Sequence, residues 1–154
     1  MAQTAHLETW IVEKPSDQSL SSNTTLTNDN NMAVTLAANE VWHFRWNVAF
    51  NEAGVNAGYA FSVGGPSAPT NVRFNFTVWN GNTGLAIDGN SITAFGTSVN
   101  LALANTGDHI LLVEGTVENG SNAGSVVLQF AQKVSDSGAI TIKRGSSLVA
   151  TRIS

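Results

Sequence analysis

The chain has 154 residues, no cysteine, seven basic and eleven acidic side chains, and a net charge of −4. This length suits one domain with a self-sufficient core, and the missing cysteine excludes disulfides and thiolate sites. Charged residues make up 12%, about half the usual share; the few basic ones are scattered, which argues against nucleic acid, and no apolar run approaches the roughly 20 residues of a membrane span.

Residues 1–10, MAQTAHLETW, show neither the basic start nor the apolar centre of a secretory signal. The expectation is a chain made in a cytoplasm and kept or assembled there. LETWIVE, residues 7–13, reads as an edge strand or an arm. Residues 1–18 are therefore set apart as an extended N-terminal segment, and 19–154 as a single β-sandwich domain. The segment 14–31 is rich in Ser, Thr and Asn, and Pro15 bars a helix there. Two readings stay open for it: an arm that pairs with the sheet edge of a neighbouring subunit, or a strand and loop within its own domain.

MAVTL (32–36) is a short strand candidate. VWHFRWNVAF (41–50) carries the strongest pattern: Trp42, Phe44, Trp46, Val48 and Phe50 alternate with His43, Arg45, Asn47 and Ala49. That period of two marks a half-buried strand. AGYAFSV (57–63) follows, and NVRFNFTVW (71–79) repeats the alternation with Val72, Phe74, Phe76 and Val78 inward. Residues 84–95 are weaker, and NLALANTGD (100–108) has room for one short helical turn. HILLVEGTVE (109–118), SVVLQFAQ (125–132), AITIKR (139–144) and SLVATRI (147–153) complete the strands. Asn-Gly at 80–81 and 119–120 signals tight turns, because both residues tolerate positive φ. Many short strands with Gly-rich turns predict an all-β protein, a jelly-roll-like sandwich or barrel of about 8–10 antiparallel strands. The expected core is Trp42, Phe44, Trp46, Val48, Phe74, Phe76, Val78, Leu112, Val126, Leu128, Phe130, Ile140 and Ile142.

Catalytic chemistry finds little footing. The histidines are His6, His43 and His109, and Gly-x-Ser-x-Gly is absent, so each imidazole reads as structural or solvent-facing. Glu114 and Glu118 share a strand face, but four residues of strand separate them by about 13 Å, beyond the reach of a glycosidase pair. NDNN (28–31) and DGN (88–90) lack the acidic density of a calcium loop and read as turns. No catalytic, cofactor or metal residue is assigned. Trp79, before the turn NGNTG, can stack on a sugar or cap the core, and the core is the better reading.

Residues 14–44, KPSDQSLSSNTTLTNDNNMAVTLAANEVWHF, resemble the start of a group of small bacteriophage virion proteins. The shared features are Lys14-Pro15-x-Asp17-x-Ser19, a Thr-rich strand through Thr24, Thr25 and Leu26, Asp29, the turn at Ala37-Ala38, and the aromatics Trp42 and Phe44. The far end is similar too, through Leu128-Gln129-Phe130-Ala131-Gln132, Gly145-Ser146 and Ala150-x-Arg152. The middle, about 50–110, is less alike. The resemblance implies a virion structural protein with a jelly-roll or similar sandwich, a trimer, located in the virion. As a capsid decoration (cement) protein its partners would be the major capsid protein and itself. A tail-fibre or receptor-binding part, and a carbohydrate-binding module, are the alternatives. Candidate partner-facing residues are Trp10, Lys14, Pro15 and Asp17 in the N-terminal segment, and Trp79 and Asn80 at the 80–84 turn.

Overall fold

A computed structural model describes residues 8–54, 57–81, 83–84, 86–101 and 106–154. Expectations that fall on residues 1–7 (His6 included), on Asn82 and on 102–105 lie outside this range. The described residues form twelve strands and no helix: β1 (Thr9–Glu13), β2 (Gln18–Leu20), β3 (Thr27–Leu36), β4 (Val41–Glu52), β5 (Tyr59–Gly64), β6 (Asn71–Asn80), β7 (Ala86–Ile92), β8 (Val99–Leu101), β9 (Gly107–Glu118), β10 (Gly124–Gln132), β11 (Ile140–Ile142) and β12 (Ser147–Arg152). β2, β8 and β11 have only three residues each. They carry the count above the expected 8–10. Asn100 and Leu101 extend as β8 rather than opening a helical turn.

The pairing is nested and entirely antiparallel. β1 pairs with β12, β2 with β11, β3 with β10, β4 with β9, β5 with β8 and β6 with β7. The chain is thus one long hairpin that turns back between β6 and β7. It is rolled so that the main pairs alternate between two sheets. One sheet runs β1-β12-β4-β9-β6-β7, with β11 and β2 beside β4; the other runs β3-β10-β5-β8. This is a jelly-roll sandwich, open at its edges.

β4 is the centre of the larger sheet, with β9 on one side and β12 and β11 on the other. The register sets inward residues in rows. Phe76, Val113, Trp46, Leu148 and Val12 form one, and Phe74, Gly115, Phe44, Ala150 and Trp10 the next. Phe44 stacks on Trp46 at 5.2 Å, and Phe74 meets both rings edge-on at 6.1 and 5.6 Å. Gly115 sits between Phe74 and Phe44 in its row. A Cβ there would lie 2.2 Å from the Phe74 ring and 2.1 Å from the Arg73 carbonyl oxygen, so only glycine lets this aromatic cluster close. Met32, Val34, Leu36, Tyr59, Phe61, Val63, Val126, Leu128 and Phe130 cover it from the smaller sheet.

Two expectations are corrected here. Leu112 is not core: it lies on the outer face between Thr77 and Asn47, and Leu111 and Val113 point inward instead. The continuous run Ile110-Leu111-Leu112-Val113 hides its own period. Gly81 and Gly120 are not needed for positive φ, which neither adopts. They are needed for close approach. A Cβ on Gly81 would sit 2.2 Å from the Asp108 carbonyl oxygen, and one on Gly120 2.1 Å from that of Ala68.

Phe44 is fully buried. Phe44→Ala is expected to cost about 3–5 kcal/mol, read as a lower urea midpoint at unchanged m-value.

Candidate partner-binding surface

The Lys-Pro-x-Asp-x-Ser segment turns out to be a fastener. Lys14 is 1% exposed. Its Nζ donates to Asp29 Oδ2 at 2.7 Å, with Gln18 Oε1 at 3.2 Å and Asn31 Oδ1 at 3.4 Å. Asp29 Oδ1 in turn accepts the backbone N–H groups of Asn31 and Met32, both at 2.9 Å. A buried ammonium and carboxylate persist only when paired and hydrogen-bonded in this way. The pair ties the end of β1 to the start of β3, across the two sheets. Lys14 therefore does not face a partner.

Asp17 is exposed, and its Oδ1 accepts the Arg144 N–H at 2.7 Å, with Lys143 Nζ 3.5 Å from Oδ2. The Arg144 N–H holds its carboxyl below the usual range against desolvation, with the Lys143 charge adding to the lowering. Ser19 and Thr141 hydroxyls meet at 2.7 Å. Pro15 lies exposed between these contacts. At the other end of the chain Gln132 is buried; its Nε2 donates to Gly138 O at 2.5 Å and its Oε1 accepts from Asn23 N at 3.1 Å. Segment 14–31 thus packs into its own domain through β2, β3 and these bonds, rather than projecting as an arm.

The larger sheet's outer face is a broad surface among the described residues. Its rows read Thr77, Leu112, Asn47, Ser147, Glu13; then Asn75, Glu114, Arg45, Val149, Ile11; then Arg73, Thr116, His43, Thr151, Thr9. Asn, Thr and Ser are the commonest side chains here, beside four charged ones, and Arg45 pairs with Glu114 at 3.1 Å. At one end Trp79 stands opposite Ile110, which stands opposite Ala49. Trp79 is 42% and Ile110 40% exposed, so Trp79 faces outward and does not cap the core. A cavity of about 370 Å³ opens beside Ile110, walled also by Ala49, Gly81, Asp108 and Lys143. Asn80 is buried on the inner side. Trp10 is 51% exposed on the sheet's edge, its Nε1 donating to Glu8 Oε1 at 2.8 Å. Of the candidates, Trp10, Pro15, Asp17 and Trp79 reach the surface and Lys14 and Asn80 do not. Ile110 was missed because the apolar run hides its period; Glu114, four residues on and on the same face, is the signal that could have found it.

The inner face ends in a polar group. Asn80, His109 and Glu52 point inward from β6, β9 and β4, and Tyr59 from β5, all buried. Burial pushes the Glu52 carboxyl up to about 7; a Gly58 backbone N–H pulls it down, and the Asp136 charge adds to the rise.

No family of known proteins and no curated protein sequence matches the chain. Solved structures give distant likenesses, several of them viral particles. The infectious bursal disease virus Gx strain structure is 10% identical, with a TM-score of 0.27 over 96% of this chain and 40% of that one. The VP2 subviral particle of the same virus gives 11% and 0.27, over 96% and 41%. A family two carbohydrate esterase from Cellvibrio japonicus gives 13% and 0.23, over 94% and 33%. The chain spans about two fifths or less of the length of these chains, and at such scores the likeness carries no argument about role.

Two outcomes are expected. Lys14→Met alone leaves the buried Asp29 carboxylate without its counter-ion and costs about 3–5 kcal/mol, whereas adding Asp29→Asn, which removes the charge and keeps an acceptor for the Asn31 and Met32 N–H groups, recovers part of it; a double-mutant cycle in urea reads both. Because Glu52 titrates in the fold near 7 rather than at its ordinary 4.5, the folded chain keeps a proton that the unfolded chain loses. The stability this gives is full below about 4.5 and is lost as pH rises through about 7. Melting temperature is expected to fall over that window, and Glu52→Gln to flatten the fall.

Proposed function

We propose that the chain is a non-enzymatic virion structural protein, a capsid decoration protein that lies over junctions of the major capsid protein. The observation that supports this best is the outer face of the larger sheet. It is broad, has Asn, Thr and Ser as its commonest side chains, and ends in the Trp79–Ile110 patch. Neutral polar side chains cost less to desolvate than ions, and a Trp beside an aliphatic side chain is a good interface anchor. The resemblance of both chain ends to phage virion proteins points the same way. Every matched side chain whose contacts are described above holds the jelly roll together, so the resemblance speaks for the fold, and the contact surface must lie elsewhere.

A carbohydrate-binding role is the second reading, favoured by the exposed Trp79 near a cavity with Asp108 and Lys143 in its wall. A tail-fibre part would use the same patch.

The test is copy number in purified particles from the source, measured against the major capsid protein. Near-equal abundance is expected. A trace amount would favour a fibre part, and absence from particles would overturn the virion reading. Trp79→Ala is expected to release the protein from particles by at least about tenfold, with stability changed by only about 0.5 kcal/mol, as for other exposed sites.

A further inference from the structure

We infer that the free edge of β1 pairs with β1 of a second copy of this chain, antiparallel, about a two-fold axis at Ile11. β1 is the end strand of the larger sheet, and among the described residues its only ladder partner is β12. The ladder's phase follows from its ends. Arg152 N donates to Glu8 O, and Lys14 N to Ser146 O, each at 2.8 Å. Bonding residues alternate along an antiparallel strand, so Trp10 and Val12 also bond to β12. Thr9, Ile11 and Glu13 therefore aim their N–H and C=O groups away from the sheet.

Those three residues are self-complementary. With Ile11 facing Ile11 of the partner subunit, Thr9 faces Glu13 of the partner subunit, and the two copies exchange about six backbone hydrogen bonds. No like charges fall opposite one another in this register, and Trp10 comes beside Val12 of the partner subunit. Side chains agree with the backbone. Ile11 is 75%, Trp10 51%, Ile153 49% and Val149 37% exposed, and Ile11 and Val149 are direct neighbours on the outer face. An isologous interface requires such a self-complementary patch, and an apolar edge strand without an inward charge is a template for pairing. The surface is separate from the Trp79 patch, so pairing and particle binding can succeed or fail independently.

The test is molar mass by light scattering over a wide dilution series, on the full chain and on Ile11→Lys. Ile11 is exposed and its N–H is free of β12, so the variant is expected to keep its fold, checked by circular dichroism and melting temperature. A dimer that Ile11→Lys converts to a monomer supports the pairing. A wild-type monomer at every concentration, an oligomer insensitive to Ile11→Lys, or a trimer as the phage resemblance implies would each overturn it.

Discussion

The alternation along β4 is the constraint that the rest of the structure obeys. From Trp42 to Phe50 aromatic and aliphatic groups face one side and, Ala49 apart, polar groups face the other, and the strand is hydrogen-bonded along both edges. A slip of one residue would put Trp42, Phe44 and Trp46 into solvent. Its neighbours must accept that register. Gly115 is the cost of doing so: β9 gives up a side chain where the Phe44 and Phe74 rings converge.

Much of this was legible in the sequence, and the reasons for success and failure are physical. β4, β6 and β10 showed a clean period of two, and their inward residues are core. The period of β9 was masked, because Ile110 and Leu112 are as apolar as the residues they alternate with. β5 is buried on both faces, so it has no period to read. Lys14 ran against the prior that lysines are exposed. Only the three-dimensional meeting with Asp29 makes its burial tolerable, and a partner 15 residues away carries no local signal. The outward face of Trp79 was legible from its own strand, since Val78 points inward.

The candidate surface follows from where charge and apolar area were not needed for folding. The N- and C-terminal motifs are occupied with holding sheets and turns in place. The recognisable motifs therefore report on the fold. Among the surfaces this leaves are a face whose side chains make few demands on one another and the edge at β1.

The nested pairing has a consequence for synthesis and folding. Of the twelve described strands, the first in chain order pairs with the last, Trp10 lying opposite Ala150. Only the β6–β7 hairpin can close early; each later pair spans a longer loop, and the larger sheet waits for β9, β11 and β12. Folding is expected to begin near the middle of the chain and to zip outward toward both termini. With so little local pairing it belongs in the millisecond-to-second regime of all-β proteins. Until β12 is free, the emerging chain carries exposed strand edges, and its sparse charge gives it little protection from other nascent copies.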